Sequence, residues 1–378
     1  MFDLLLTNGR VIDPSQGLDQ ITNVAFSNGK VAAIGESANA EANRTIDLTG
    51  QMVTPGLIDL HTHVYWGGTS IGVDPNAISR QSGCTTLVDA GTAGAANMRG
   101  FHRHVIQPAI PKILSFINVS FAGIYAFSQD VMVGECSDVR LLDANACLLA
   151  AQQHADIVVG VKARVGRIAG GNSGIGPLDI AIEIAQELRL PVMAHLDQPP
   201  PSRRDVLDRL RPGDILTHCF RPFPNSPING DGNPFPEITE ARERGIIFDI
   251  GHGMGSLGFQ TSQQMLEHSF LPDTISSDVH ALSIDGPAYD LLVTMSKFLA
   301  MGMTLEDVIR CTTLAPATAI NQPQLGSLKC GSAGDASILT LEKGDFEFQD
   351  ACGASLHGDQ HFTSKATVIN GEWHGATN

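Results

Sequence analysis

The chain has 378 residues, with 24 Lys and Arg against 40 Asp and Glu, which gives a formal net charge of −16. Its hydrophobic content of 43% excludes an intrinsically disordered chain, and its charged content of 17% is too low for a coiled coil. The acidic balance argues against nucleic-acid binding but allows anionic small molecules, because local fields decide those. The length fits a large α/β domain with a smaller second domain.

The seven cysteines are scattered and form no Cys-x-x-Cys pair, which is typical of reduced thiols in a cytosolic protein. The first residues have no signal-peptide pattern, and no apolar run approaches the roughly 20 residues that cross a bilayer. We therefore expect a cytoplasmic protein with no membrane partner. A homo-oligomer is one of the assembly states that the sequence allows.

Both ends of the chain have patterns typical of short strands. The first 54 residues contain apolar runs that meet turn pairs, such as Asn8-Gly9 and Asn28-Gly29, which indicate β-hairpins. The tail is similar, since a strand pattern over 336–341 is followed by another that ends at Asn370-Gly371. Residues 1–54 and 323–378 are therefore predicted to form β structure, without long helices.

Residues 55–322 alternate continuous apolar strands with helical patterns. Pro177–Leu190 is one predicted helix, because Pro177 suits its first position and apolar residues recur every four residues. Such alternation predicts a parallel sheet covered by helices, and eight strands match a closed (β/α)8 barrel, although an open doubly wound sheet also fits. The predicted strands are Gly56–His61, Thr85–Ala90, Ile113–Val119, Ile157–Val165, Pro191–His195, Ile215–His218, Ile246–Ile250 and Thr274–Asp278.

Side chains able to bind metals lie in or directly after these predicted strands. The carboxyl ends of parallel strands meet at one face, where barrel active sites lie, and imidazole and carboxylate groups suit zinc and similar ions. An unpaired ammonium in an apolar strand is costly, so the lysine of this set either pairs with a buried acid or becomes anionic. The set consists of His61, His63, Lys162, His195, His218 and Asp278.

The motif Pro-Gly-Leu-Ile-Asp-Leu-His-Thr-His at 55–63, with the other four residues at later strands, resembles the amidohydrolase superfamily. The run Leu-Gly-Ser-Leu-Lys-Cys-Gly-Ser-Ala-Gly-Asp-Ala at 325–336 is similar to that family's return to its small β domain. The resemblance covers nearly the whole chain. It implies a (β/α)8 TIM-like catalytic barrel over residues 55–322 and a β-sandwich domain formed by both termini, 1–54 and 323–378.

The resemblance also implies two divalent metal ions, expected to be Zn²⁺, and a CO2-derived carbamate on Lys162. Asp278 would additionally serve as the catalytic base, taking a proton from the attacking water and passing it to the leaving group. The implied ligands of the more buried metal are His61, His63 and Asp278, those of the second metal are His195 and His218, and the carbamate on Lys162 bridges the two.

Within the superfamily, the chain resembles the dihydroorotase-like branch. Dihydroorotases carry an Arg just after the His-x-His, whereas this chain continues Val-Tyr-Trp-Gly-Gly at 64–68. It is more similar to members with deacetylase or esterase activity on small acylated acids. Arg164 is expected to bind the substrate carboxylate, because it shares the inward face of Lys162; a structural salt bridge is its alternative. Four more residues are candidates for substrate contacts, with packing in the core or at the pocket rim as the alternative for each. They are Tyr65, Trp66, His252 and His280.

The expected function is therefore hydrolysis of an acetyl-like amide or ester of a small α-amino or α-hydroxy carboxylate by a metal-bridging hydroxide. The alternatives are ring opening, as in dihydroorotase or hydantoinase relatives, and more distantly a non-catalytic assembly module. The Gly-x-Gly-x-x-Gly run at 253–258 fits a dinucleotide site only formally, since it follows the seventh predicted strand. A second His-x-His at 102–104 lies in a helical pattern, where residues two apart diverge by about 200°.

Overall fold

The computed structural model describes residues 1–38 and 41–375, which form two β-sheets and ten α-helices within these ranges. The strands are β1 (Phe2–Asp13), β2 (Leu18–Ser27), β3 (Lys30–Ile34), β4 (Ala42–Asp47), β5 (Met52–Pro55), β6 (Leu57–Thr62), β7 (Cys84–Ala90), β8 (Lys112–Asn118), β9 (Val158–Val165), β10 (Val192–Leu196), β11 (Ile215–Leu216), β12 (Ile247–Phe248), β13 (Ala336–Gln349), β14 (Ser355–Ile369) and β15 (Glu372–Gly375). The helices are α1 (Pro75–Ser82), α2 (Met98–Phe101), α3 (Ala144–Gln153), α4 (Gly176–Leu188), α5 (Arg203–Arg209), α6 (Pro236–Glu243), α7 (Phe259–Glu267), α8 (Leu291–Ala300), α9 (Leu305–Arg310) and α10 (Leu314–Ala319).

Strands from the two ends of the chain pair in one eight-stranded sheet. Its order is β15-β14-β13-β5-β1-β2-β3, with β4 paired to β1. The junction is the antiparallel pair of β5 and β13, in which Val53 lies opposite Ile338, and both side chains belong to an apolar core between these strands. The two ends therefore share a sheet, while the two packed layers of a sandwich stay a prediction.

The two turn pairs near the start of the chain behave differently. Asn28-Gly29 joins β2 to β3 with φ of 52° and 71°, and positive φ at both residues is what a type I′ hairpin turn requires. The hairpin predicted at Asn8-Gly9 is wrong, because β1 continues through it and its pairing register with β2 shifts between Leu6 and Gly9. The extra residue is accommodated as a bulge within β1.

The second sheet is parallel, with the order β12-β11-β10-β9-β8-β7-β6. Every residue of β6, β7 and β9 is buried, as expected for strands covered on both faces. Helices lie between most successive strands, and the residues around the second His-x-His, His102–Ile106, form a π-helical turn. The sequence therefore correctly predicts a mixed α/β fold with a curled parallel sheet.

The eighth predicted strand, residues 274–278, is not a regular strand in the structure. It forms isolated parallel bridges on both sides, from Thr274 to Asp249 after β12 and from Val279 to Thr62 in β6. The backbone N–H of Asp278 also donates to the carbonyl of His61 at 2.7 Å. This segment thus lies between the two edge strands of the parallel sheet, and closure as a regular eight-stranded barrel stays a prediction.

The short strands on this side of the sheet have a local cause. His218, Gly251 and Asp278 have φ of 62°, 50° and 49°, in the left-handed region that an extended strand does not use. β11 and β12 are consequently only two residues long each. Two of the three residues are predicted metal ligands, and left-handed non-glycine residues cost free energy and concentrate at functional sites.

No helix in the described ranges combines the length and the apolar composition needed to cross a bilayer. All seven cysteines are free thiols, and five of them are buried. Burial raises the pKa of the Cys219 thiol well above its ordinary value, so this neighbour of His218 is a packed core residue and no nucleophile.

Candidate metal centre

The carboxyl ends of the parallel strands surround a small cavity of about 30 Å³. The predicted metal ligands come from β6, β9, β10, the turn after β11 and the segment at 274–280, so the polarity of the sheet alone brings them together. Arg164 and His280 line the same cavity. The predicted ligands that line it are His61, His63, Lys162, His195, His218 and Asp278.

The donor atoms in this cavity lie close to one another. Asp278 Oδ1 is 3.4 Å from His61 Nε2 and 3.2 Å from His63 Nε2. Lys162 Nζ is 3.5 Å from His61 Nε2. The ligating atoms of His61, His218 and Asp278 all lie within 4.8 Å of one another, a spacing that suits a compact metal centre.

Hydrogen bonds at Nδ1 fix the orientation of three of these histidine rings. When Nδ1 is held by an oxygen atom, Nε2 remains for the cavity, which is the usual arrangement around metal-ligating histidines. The Nδ1 contacts are His61 to Thr217 Oγ1 at 2.8 Å, His63 to Thr92 Oγ1 at 2.8 Å, and His218 to the carbonyl of Gly251 at 2.7 Å.

A fully buried carboxylate supports the His61 contact from behind. The Thr217 hydroxyl donates to Asp249 Oδ2 at 2.7 Å, and the Thr274 and Ser276 hydroxyls donate to Oδ1 at 2.7 Å each. Burial raises the pKa of Asp249, while these three donors and Lys162 counteract the increase. The chain His61–Thr217–Asp249 therefore holds the ring in one orientation.

His195 provides the test of whether these residues fit a metal ion. Its Nε2 atom is buried and has no hydrogen-bond partner among the described residues. Leaving such an atom unsatisfied costs about 1–3 kcal/mol unless a ligand occupies it. His195 Nε2 is therefore free to bind a metal ion. The three neighbouring histidine rings, whose Nδ1 atoms are already hydrogen-bonded, also present Nε2 to the cavity, and this set of nitrogen atoms fits a divalent metal site.

Lys162 is almost fully buried in β9. No carboxylate of the described chain lies within 4.0 Å of its ammonium group, so the salt bridge weighed from the sequence is absent there. Burial lowers the pKa of Lys162 to about 7. Gly91 makes room for the side chain, because a Cβ there would lie 2.5 Å from Lys162 Cβ.

Asp278 lies against the backbone of the glycine-rich run at 253–258. A Cβ on Gly253 would lie 2.2 Å from Asp278 Oδ2, so glycine is needed for the carboxylate to fit. Burial raises the pKa of Asp278 to about 6. This glycine therefore serves the metal centre, and nothing in the structure favours a dinucleotide site.

Arg164 enters the cavity with partners that the sequence did not indicate. Its Nη1 donates to Oε2 of the fully buried Glu135 at 3.2 Å. The Phe127 ring lies 5.2 Å from its guanidinium carbon and 5.6 Å from the centre of the His280 ring. Both residues come from the long loop after β8, where a lone acid between apolar residues is the only sequence signal for Glu135.

Tyr65 and Trp66 do not line this cavity, and their contact with a substrate stays a prediction. The Tyr65 ring stacks on Phe101 at 4.7 Å, and Tyr65 and Trp66 border a separate surface depression near α1. Trp66 is 59% exposed. A tight turn after His63 directs the chain outward, and alternation along the strand therefore stops predicting side-chain direction there.

His252 is also absent from the cavity lining, and its substrate contact likewise stays a prediction. Its Nε2 accepts a hydrogen bond of 2.7 Å from Lys297 Nζ in α8. Lys297 donates as well to the carbonyls of Pro287, at 2.6 Å, and Gln349 in β13, at 2.8 Å. The buried ammonium group of Lys297 in α8 thus connects His252, which precedes the glycine-rich run, with the eight-stranded sheet.

We expect Lys297→Met to lower the free energy of unfolding by about 3 kcal/mol, because three buried acceptors lose their donor. Urea denaturation measures this change. Lys365→Met is the matched control, since Lys365 is exposed on β14 of the same sheet and pairs with exposed Glu342 at 3.4 Å; its expected effect is below about 0.5 kcal/mol. Equal midpoints for the two variants would contradict the linking role.

The sequence and the structure were compared with those of known proteins. Residues 44–104 match the amidohydrolase family. A deacetylase of Agrobacterium fabrum is 34% identical over 372 residues, which cover 98% of this chain and 91% of the relative.

Two solved structures are similar over the whole of both chains. A crystal structure of an adenine deaminase has a TM-score of 0.93 at 30% identity, and a crystal structure of a dihydroorotase has a TM-score of 0.90 at 32% identity. The clustered histidines, buried lysine and aspartate agree with this relationship. The chain therefore belongs to the amidohydrolase superfamily of hydrolytic enzymes, in its dihydroorotase-like branch.

Proposed function

We propose that the protein is a binuclear metal-dependent hydrolase that removes an acetyl-sized acyl group from a small α-amino or α-hydroxy carboxylate. The observation that carries this proposal is the convergence of four histidines, Lys162 and Asp278 on one buried cavity. The full-length similarity to a protein named as a deacetylase supports the acyl group. The absence of an Arg directly after His63 supports a substrate other than dihydroorotate.

Lys162 is the proposed site of carboxylation. A buried lysine without an acid partner has a strong tendency to be neutral, and a neutral amine can attack CO2. The reaction forms a bond from Nζ to the carbon of CO2 and releases one proton, leaving a carbamate anion. An anion at this position suits the orphaned Nε2 of His195 and the Nε2 of His61 as co-ligands.

We assign the more buried ion to His61, His63 and Asp278, the second ion to His195 and His218, and the bridge to carboxylated Lys162. Bound divalent ions would lower the pKa of a water molecule and polarise the acyl carbonyl. The fixed Nδ1 contacts of the histidines keep their Nε2 atoms in place for this, so little rearrangement is needed on binding.

Asp278 is the residue that moves the proton. Oδ1 lies between His61 and His63, and Oδ2 lies beside Gly253, so the two oxygens have different surroundings. We propose that this carboxylate accepts the proton of the attacking water and delivers it to the leaving amine or alkoxide. Phe127, Arg164 and His280 line the same cavity as this carboxylate.

Ring opening of a cyclic amide is the second candidate, because a structure described as a dihydroorotase is similar over the whole chain. It would use the same residues with a ring substrate. The absence of the dihydroorotase arginine disfavours it.

A substrate panel tests the proposal. Zinc-loaded enzyme, prepared with bicarbonate, is assayed against N-acetyl-D- and N-acetyl-L-amino acids, O-acetyl α-hydroxy acids and dihydroorotate. We expect acetate release from at least one acetylated series and no consumption of dihydroorotate. Consumption of dihydroorotate without any acetate release would replace the proposal by the ring-opening alternative.

Zinc affinity is expected to fall as the pH decreases below about 6, and Asp278 should contribute about tenfold for each pH unit, because a proton then competes for its carboxylate. Protonation of Lys162, which blocks its carboxylation, should add to this slope. Burial raises the pKa of Asp278 to about 6 and lowers that of His63 to about 3, so the aspartate is protonated first as the pH falls. Competition titrations with a zinc chelator between pH 5 and 8 measure this slope. Asp278→Asn should flatten it below pH 6, and an unchanged slope in that variant would assign the proton elsewhere.

A further inference from the structure

Three of the side chains that line the metal-centre cavity are apolar, and the others are polar or titratable. Two of the three, Ile71 and Ile124, are only 2% exposed each and belong to the packed interior. The third, Phe127, is half-buried and comes from the long loop after β8. Phe127 is therefore the apolar wall residue that reaches both the cavity and the surface.

The Phe127 ring packs against two polar residues of the same wall. It lies 5.2 Å from the guanidinium carbon of Arg164, and it meets the His280 ring edge to face with the ring centres 5.6 Å apart. Cation–π and edge-to-face contacts are both attractive. They hold the ring in the cavity lining.

Hydrogen bonds fix the backbone that carries this ring. The Phe127 N–H donates to Ser70 Oγ at 3.1 Å, and the Ser70 hydroxyl donates to the Phe127 carbonyl at 3.1 Å. Phe127 also forms an antiparallel bridge with Met132, and next to it the Val133 N–H donates to the carbonyl of Ala126 at 2.9 Å. The ring therefore projects from a small, well-bonded hairpin and can act as a fixed wall.

The cavity is small enough for its walls to limit what it holds. Its volume of about 30 Å³ is only a few times the roughly 10–15 Å³ that one water molecule requires. A group bound there contacts the surrounding side chains directly, and each added methylene has to displace one of them. Close-packed protein interiors resist such displacement.

The acyl chain is the part of the proposed substrate that these walls enclose. Its carbonyl carbon has to lie beside the cavity histidines and Asp278, where the reaction takes place. The first carbon of the acyl chain is one bond from that carbonyl carbon. The α-substituent of the acid is three bonds away, because the amide nitrogen or ester oxygen and the α-carbon intervene. An apolar methyl group also suits an apolar wall.

We infer that Phe127 sets the upper size limit of the acyl group, so that acetyl fits against its ring and longer acyl chains collide with it. This inference rests on the proposed function and names the residue that makes the substrate acetyl-sized. Ile71 and Ile124 complete the apolar wall from the interior. Replacing Phe127 by a small residue opens the cavity toward the surface and admits longer acyl groups.

A series of acyl lengths on constant acids tests the inference. Release of alanine or lactate from N-acetyl- and N-butanoyl-alanine and from O-acetyl- and O-butanoyl-lactate, all racemic, is measured for zinc-loaded wild type and variants. We expect wild-type kcat/KM to be at least about 100-fold lower for butanoyl than for acetyl, because each methylene in a tight pocket changes it by roughly tenfold or more. Phe127→Ala should raise the butanoyl-to-acetyl ratio at least about tenfold, and Phe127→Leu should raise it less.

Phe121→Ala is the matched control. Phe121 lies in the same loop, is 43% exposed and does not line the cavity. Its substitution should leave the butanoyl-to-acetyl ratio within about twofold of wild type. An unchanged ratio in Phe127→Ala would overturn the inference. So would a change that follows the choice of alanine or lactate instead of the acyl length.

A binding measurement separates failure of this inference from failure of the proposed function. Calorimetric titration of the zinc-loaded proteins with acetohydroxamate and butanohydroxamate needs no turnover, and these zinc-binding probes differ only in alkyl length. If wild type hydrolyses none of the four compounds but Phe127→Ala binds butanohydroxamate at least about tenfold more tightly than wild type, the size limit stands and the reaction assignment fails. Equal butanohydroxamate affinities of wild type and Phe127→Ala would refute the size limit.

Discussion

Lys162→Ala is expected to remove most of the bound zinc and to lower kcat by at least about 10³-fold, because the only proposed bridging ligand is lost. The structure explains why no neighbour can replace it. Lys162 is almost fully buried, no described carboxylate lies within ion-pair distance, and Gly91 leaves only the space that this side chain fills. Zinc per chain after gel filtration and acetate release measure the two effects.

Lys297→Met is the matched control for this experiment, since Lys297 is the other lysine that is completely buried among the described residues. It should lower stability but keep its zinc. Bicarbonate gives a further readout: zinc uptake by the wild-type apoprotein should increase with added bicarbonate, and uptake by Lys162→Ala should not respond. Full zinc content in Lys162→Ala would refute the bridging role.

Asp278→Asn is expected to lower kcat by about 10³-fold while much of the zinc is retained, because an amide oxygen can still bind a metal but cannot accept the proton. The position tolerates this substitution sterically, since Asn and Asp have the same shape. Its Oδ2 packs against Gly253, where an added Cβ would lie only 2.2 Å away, so the carboxylate depends on that glycine. Single-turnover kinetics and metal analysis separate the chemical step from metal loss.

Asp335→Asn is the control for removing a buried carboxylate. Asp335 lies just before β13, where its Oδ1 accepts the backbone N–H of Asn370 at 2.8 Å, far along the chain from the metal ligands. We expect its kcat to stay within about twofold of wild type. Near-normal turnover in Asp278→Asn would exclude this residue as the proton carrier.

The fold can be predicted from the sequence wherever a local hydrophobic pattern determines the secondary structure. Continuous apolar runs become the central parallel strands because burial on both faces is their only requirement. The prediction is less accurate on one side of the sheet, where left-handed backbone at His218 and Asp278 shortens β11 and β12 and prevents a regular strand at 274–278. Such conformations depend on surrounding contacts that hydrophobic periodicity does not encode.

In the candidate site, too, local sequence patterns predict some residues, and tertiary contacts determine the others. Strand polarity predicts which end of the sheet holds His195 or Lys162, and the cavity contains both. The direction of a side chain after a strand has ended is not encoded in this way: His252 turns to Lys297, and Trp66 turns to solvent. Glu135 comes from a long loop whose path depends on tertiary contacts. A prediction that considers only residues at the ends of strands therefore does not identify it.

The pairing of β5 with β13 also constrains how the protein is made. Val53 of β5 lies opposite Ile338 of β13, which is 285 positions later in the sequence. At typical translation rates of about 5–20 residues per second, β5 emerges from the ribosome on the order of tens of seconds before its neighbour exists. During that interval the free edge of β5 is a template for pairing with other nascent chains. The eight-stranded sheet can therefore be completed only after β13 has been synthesised, although most of its strands precede the parallel sheet in the chain.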